Sequence, residues 1–185
     1  MGEEPGGSAA TTILRVAEHE IGGDLRLQLQ ALLQASFPGF PSRTYFKLPP
    51  HFRYLVMTGG ALTAQMGVEL RVIRIGSTVL RTFGVSDLCV STRERSRGLA
   101  GGLLADVTGL ARARGIDFVI LFADDDRLYT RHGWSRAGNP CSWVKIHDHA
   151  TLGLATAQDT EALMVKATGR QAWPDGDVDL LGHVF

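Results

Sequence analysis

The chain has 185 residues and a mass of 20.0 kDa, enough for one domain with a sizeable core. Hydrophobic residues make up 44% and charged residues 21%, which excludes a disordered chain. Lys and Arg number 19, as do Asp and Glu, whereas a chain built for bulk binding to nucleic acid or an anionic membrane would carry a basic excess.

Residues 1–12 hold Gly2, Pro5, Gly6, Gly7 and Ser8 with two glutamates. They lack the basic and apolar regions of a secretory signal and read as a flexible tail before a domain over 13–185. No apolar run approaches the ~18 residues that cross a bilayer. Cys89 and Cys141 are too few for a disulfide framework and form no metal motif. A cytoplasmic location is the expectation.

Leu25, Leu29, Leu32 and Leu33 share one face at helical spacing, so a helix is predicted over 25–36, ended by Phe37-Pro38-Gly39. A loop rich in aromatic residues and proline follows, from Phe40 to Phe52. Arg53 to Thr58 and Ala61 to Ile75 read as strands joined at Gly59-Gly60. After Gly76-Ser77, Thr78 to Ser91 reads as a long strand with an irregularity at Gly84. Leu99, Leu103, Val107 and Leu110 predict a helix over 96–114, closed by Gly115. Phe118 to Ala123 is an apolar strand, and Arg127 to Arg131 a short helix that any of Asp124, Asp125 or Asp126 caps. Ser142 to Ile146 and Ala162 to Ala167 are strand-like, and the chain ends in turns. His147-x-His149 is the one pair of histidines placed to chelate, without further metal-motif support.

The most informative stretch runs from Val90 to Leu104. A strand ends, a polar loop follows, and a helix opens on small residues. A helix start offers unpaired N–H groups and the positive end of the dipole, which bind anions. Gly98, Ala100 and Gly101 admit a phosphate to the backbone, and Arg95 and Arg97 add charge-assisted bonds. The spacing is neither a Rossmann fingerprint nor a P-loop.

Arg95-x-x-Gly98-x-Ala100 resembles the coenzyme A pyrophosphate motif of the GNAT (GCN5-related) N-acetyltransferases, and Leu128-Tyr129-Thr130-Arg131-His132-Gly133-Trp134 resembles that family's second motif. The resemblance implies an α/β (α+β) fold: one domain with a mixed, mostly antiparallel sheet, a splayed central strand pair and flanking helices. It also implies acyl transfer from acetyl-CoA or another acyl-CoA to a primary amine, with no metal. Leu88, Cys89 and Val90 would hold the pantetheine arm; Arg95, Ser96, Arg97, Gly98, Leu99, Ala100 and Gly101 would hold the pyrophosphate. Tyr129 would protonate the departing thiolate.

The base is left between two residues. Ser86 stands where aminoglycoside-modifying relatives carry an acid, and would act through water. Asp87 follows it, with the opposite facing expected of adjacent strand residues. Trp173-Pro174-Asp175-Gly176-Asp177-Val178 resembles the tail of aminoglycoside 2'-N-acetyltransferases and a stretch of the NodA-type nodulation acyltransferases. That likeness implies a small polar, aminoglycoside-like acceptor met by Asp177, with Asp124 adding acidity. The tail departs from those relatives, because Asp179 to Phe185 follows where they end on Trp.

Two other readings stay open. The donor is a carrier protein or an aminoacyl-tRNA, the one route by which nucleic acid enters; or the chain is a non-catalytic ligand-binding or self-resistance module. A homodimer is implied by resemblance alone.

Overall fold

Gly59-Gly60 and Gly76-Ser77 fold the middle of the chain into a meander. In the computed structural model, which describes residues 10–158 and 162–185, strands β2 (Phe52–Thr58), β3 (Ala61–Ile75) and β4 (Thr78–Val90) pair antiparallel in sequence. Residues 62–69 of β3 are buried without interruption, as expected of a central strand covered on both faces.

A strand β1 (Thr11–Ala17) adds to β2 in antiparallel register, Thr11 opposite Thr58 and Ala17 opposite Phe52. Thr11 and Thr12 of the expected tail therefore belong to a strand, and residues 1–9 of it lie outside the described residues. Helix α1 (Gly23–Ser36) buries Leu29, Leu32 and Leu33 against Leu55, Leu62 and Cys89.

Helix α2 (Leu99–Ala113) is the crossover between β4 and the parallel strand β5 (Phe118–Phe122). It starts at Leu99 rather than Ser96 because Gly98 sits at φ +79°, in the left-handed region that glycine enters without cost. Leu103, Leu104, Val107 and Ala111 form its buried stripe with Val56, Phe83, Val119 and Leu121. Burying a leucine or valine side chain contributes about 1.5–3 kcal/mol, so this stripe is what fixes the helix to the sheet.

Helix α3 (Arg127–Arg131) follows β5. Strand β9 (Leu163–Ala167) pairs antiparallel with β5 and with the short β6 (Ser135–Arg136). On the other side, β7 (Cys141–His147) and β8 (Ala150–Ala157) form a hairpin. The two-residue β10 (Val178–Asp179) joins them to the sheet, antiparallel to β3 and parallel to β7. The sheet order is β6-β9-β5-β4-β3-β10-β7-β8, with β1 and β2 continuing from β3. This is the expected mixed, mostly antiparallel sheet flanked by helices.

Two features position the site. β4 and β5 pair only from Thr82/Phe118 to Gly84/Ile120, although β4 continues to Val90. Beyond Gly84 the two strands part. The second feature is a bulge, which stands three residues past the irregularity expected at Gly84. Gly84 is in register with Glu69, whereas Gln65 faces Cys89 and Gly67 faces Ser86. Asp87 and Leu88 thus share one opposing residue, Met66, and Asp87 takes φ +51°. Aspartate tolerates this left-handed region better than most side chains.

Candidate active site

Where β4 leaves β5, a cleft of about 480 Å³ opens between β4, the start of α2 and α3. Leu88, Cys89, Val90, Arg95, Ser96, Gly98, Leu99, Ala100 and Gly101 line it, together with Tyr129. Residues separated by 41 positions in sequence thus meet in one cavity. The first turn of α2 has no side-chain cap, and Gly102 N–H is the first to bond back into the helix, to Gly98 O at 2.9 Å. The earlier N–H groups of this turn are left for a ligand. This donor set suits a pyrophosphate. Arg95 is held at the rim by a bond from Nε to Val90 O, 3.3 Å.

The structure places some predicted residues elsewhere. Arg97 is absent from the cleft lining; its Nη1 donates to Glu94 Oε2 at 2.8 Å. Gly101 faces the His132 ring, which a Cβ at that position would overlap, so its smallness serves side-chain packing as well. Ser36 and Phe37 at the end of α1, Glu94, Leu128, Arg131 and His132 also line the cleft and were not singled out from the sequence. For Leu128, Arg131 and His132 a signal existed, since they lie inside the segment that carries Tyr129.

Tyr129 is half-buried, its ring edge-on to Trp134 at 5.9 Å. Burial, reinforced by the Asp125 carboxylate, pushes its phenol above the ordinary tyrosine pKa. The phenol therefore keeps its proton through neutral pH. Cys89 is buried, and burial raises its thiol, so it is a neutral lining residue rather than a nucleophile.

Immediately along β4, Ser86 and Asp87 line a second, smaller pocket of about 120 Å³ with Lys47, Glu69, His183 and Phe185. The bulge explains why both do so: it breaks the alternation that would have sent Ser86 and Asp87 to opposite faces. Burial raises the Asp87 carboxyl above the usual aspartate range, against the pull of Arg53 and Lys47. Glu69 differs. Burial pushes it up, but bonds from His183 and Arg71 together outweigh that and hold it below the glutamate range. Its Oε1 meets His183 Nε2 at 3.3 Å and its Oε2 accepts from Arg71 Nη1 at 2.9 Å.

A buried polar chain anchors the bulge. Arg53 is fully buried; its Nε donates to Glu18 Oε2 at 2.6 Å and its Nη1 to Gln65 Oε1 at 2.8 Å. Gln65 Nε2 in turn donates to the backbone oxygen of Asp87. A strand arginine followed at long range by a glutamine carries no pattern that sequence reading detects.

The two predicted acceptor-binding aspartates are not brought to either pocket. Asp177 is exposed, and its carbonyl accepts from Gly76 N–H at 3.0 Å, at the far end of the β3–β4 hairpin. The 13 residues of β4 place that end about 40 Å from Val90. Trp173, in the same stretch, closes the core: its ring meets Phe118 edge-on at 5.0 Å and its Nε1 donates to Asn139 Oδ1 at 2.8 Å. Asp124 is exposed and lines neither pocket. Of the three aspartates offered as caps, Asp125 accepts the Arg127 N–H at 3.1 Å, while Asp126 pairs with Arg136 at 2.8 Å.

His149 Nε2 lies 3.4 Å from the Tyr45 hydroxyl, and Asp148 pairs with Arg43 at 3.4 Å, so the tip of the β7–β8 hairpin touches the loop before β2. Among the described residues no group of three or more His, Cys, Asp or Glu could hold a metal ion. No helix among them is long and apolar enough to cross a membrane.

Comparison with known proteins bears on the family and the fold. Residues 21–137 match the family model described as "Acetyltransferase (GNAT) domain". No curated protein matches the chain. Among solved structures, the GNAT family N-acetyltransferase YhbS from Escherichia coli, in complex with CoA, superposes with a TM-score of 0.65 at 18% identity, covering 97% of this chain and 93% of that one. A GNAT family acetyltransferase from Brucella melitensis, in complex with acetyl-CoA, gives 0.60 at 15% identity, covering 92% and 95%. Eis1 from Mycobacterium abscessus gives 0.56 at 16% identity over 73% of this chain, which spans 32% of that protein's length. These structures share the fold; the likeness to aminoglycoside 2'-N-acetyltransferases and NodA-type enzymes is not carried further by them.

Proposed function

The chain belongs to the GNAT acetyltransferase family, and on that premise we propose that it transfers an acyl group from acetyl-CoA, or another acyl-CoA, to a primary amine of a small polar molecule. The observation that carries this reading is the divergence of β4 from β5 beside an uncapped helix start and Tyr129. The start of α2 and Arg95 would hold the pyrophosphate. The β4 edge at Leu88, Cys89 and Val90, which β5 has left, would hold the pantetheine arm and turn the thioester toward the bulge. Holding both reactants there supplies rate through proximity.

Asp87 is the base in this reading, taking a proton from the acceptor ammonium in the smaller pocket; Ser86 lies beside it to order a water. Tyr129 gives a proton to the departing thiolate. The acceptor is small, because the pocket beside Asp87 is about 120 Å³. An aminoglycoside-like acceptor gains no support from Asp177 or Asp124 where they stand. In this reading the enzyme is cytoplasmic, and its acyltransferase domain begins with β1 at Thr11 rather than at residue 13.

The direct test is thiol release from acetyl-CoA across a panel of small primary amines, with coenzyme binding followed by calorimetry. Release that depends on one class of amine is the expected result. A folded chain that binds no acyl-CoA would sink the proposal.

A further inference from the structure

We propose that Lys47 is itself an acyl acceptor, so that the protein acylates its own loop between α1 and β2. This rests on reading the larger cleft as the acyl-CoA site. The sequence holds three lysines, Lys47, Lys145 and Lys166. Lys166 is spent on the backbone, its Nζ donating to His132 O and Gly133 O at 2.9 Å each. Lys145 is exposed on β7 and lines neither pocket. Lys47 alone enters the pocket beside the bulge, where it stands with Ser86, Asp87 and Glu69.

Its Nζ donates to the backbone oxygen of Val184 at 3.1 Å and, among the described residues, has no carboxylate within ion-pair distance. The amine is thus placed in the pocket without being locked to an anion. Asp87, whose field acts on Lys47, is followed in the chain by Leu88, which lines the larger cleft. Adjacent residues of β4 thus line the two cavities. Burial lowers the pKa of Lys47, against the raising influence of Asp87 and Glu69. A larger share of the amine is then neutral and nucleophilic.

In the step, neutral Lys47 Nζ attacks the carbonyl carbon of the thioester. A C–N bond forms and the C–S bond breaks. The nitrogen's surplus proton passes to Asp87, and the thiolate leaves with the Tyr129 proton; Asp87 then returns its proton to Tyr129 through solvent. The products are an N-acyl lysine and free coenzyme thiol. Acylation removes the lysine charge from the pocket, so an incoming ammonium no longer shares Asp87 with it.

Full-length protein is incubated with acetyl-CoA alone, without added amine, then digested and read by mass spectrometry. The expected result is one acetyl increment on the Lys47 peptide, with Lys145 and Lys166 unmodified and a half-time independent of protein concentration. Lys47→Arg should lose the increment and bind acetyl-CoA in calorimetry as the parent does. Unmodified Lys47 in protein shown to bind acetyl-CoA overturns the proposal and leaves the function standing. So does equal labelling of all three lysines in folded and urea-unfolded chain, or a rate that scales with protein concentration. A chain that binds no acetyl-CoA overturns the reading of the cleft, and this proposal with it.

Discussion

The ring of Phe185 occupies the space of the side chain that Gly84 lacks; a Cβ at Gly84 would overlap it. Gly84 is also the last residue of β4 to pair with β5. The same ring lies under the Arg71 guanidinium, 5.1 Å from its centroid, and borders the smaller pocket. The final segment is therefore keyed to the point where the sheet divides.

Gly84→Ala should displace that ring. Overpacking of a close contact costs about 1–3 kcal/mol, read as a lower urea midpoint. Adding Phe185→Ala should recover part of the loss. The amine KM should rise in Gly84→Ala while coenzyme affinity holds, because Phe185 touches only the smaller pocket.

Arg95 and Arg97 should behave differently despite their nearness in sequence. Arg95→Glu replaces a rim cation with an anion and should weaken coenzyme binding by at least about tenfold, the scale of one charge-assisted bond. Arg97→Ala, which breaks only an exposed pair with Glu94, should leave affinity within about twofold. Calorimetry on both variants decides; equal losses would relocate the pyrophosphate.

Tyr129→Phe should lower kcat by about 10²–10⁴ with little change in coenzyme affinity, the scale of general acid catalysis. The acid must be protonated, and burial has raised its pKa. Activity should therefore persist to higher pH than an ordinary phenol would permit, with the alkaline limb of the kcat profile falling above ~10. An unchanged kcat in the Phe variant would remove Tyr129 from the chemistry.

For Asp87 the sign of the stability effect separates a base from a structural carboxylate. Its folded pKa lies above the ordinary value, so the folded chain holds this proton more tightly than the unfolded chain. The stability this contributes is present below the unfolded pKa of ~3.9 and is lost as pH rises through the folded value. Asp87→Asn should therefore be as stable as the parent or more so at neutral pH, with the gap closing in acid, and should still lose transfer activity. A destabilised variant at neutral pH contradicts the expectation.

Glu18→Ala should be among the most damaging single changes. It leaves the fully buried Arg53 without its carboxylate, and removing one partner of a buried pair costs about 3–5 kcal/mol. Thermal melting measures this. A mild Glu18→Gln substitution would add a second readout, since a bulge loosened through Gln65 should reduce kcat before it unfolds the chain.

The meander, α2 and β5 were legible because each is specified locally, by paired turn glycines, by a leucine stripe and by a short apolar run. Most of one wall of the larger cleft was legible for the same reason, since it comes from the continuous stretch Leu88 to Gly101. β1 was read partly as tail because its first residues adjoin a Gly- and Pro-rich segment, and five of its seven residues are exposed. β8 escaped because it stays largely exposed at a sheet edge, Leu152 and Leu154 included, so its apolar residues mark no buried face. The bulge at Asp87 was missed because it depends on Gln65 and Arg53 across the sheet, and nothing near Asp87 announces it. Asp177 was drawn toward the acceptor by a short tail motif whose place in the fold is a turn.

The pocket beside Asp87 is walled by pieces from three remote parts of the chain: residues 46–48, Glu69 with Ser86 and Asp87, and residues 183–185. Two of these pieces lie outside the regular strands and helices, and neither borders the larger cleft. The loop piece can be exchanged, lengthened or shortened without touching the larger cleft, whereas the last piece is tied to β4 by Phe185 against Gly84. On the proposed function the molecule is a fixed tool with a partly replaceable jig, and a chimera carrying another protein's residues 46–48 on this β4 should change which amine is held and leave the transfer step as it is.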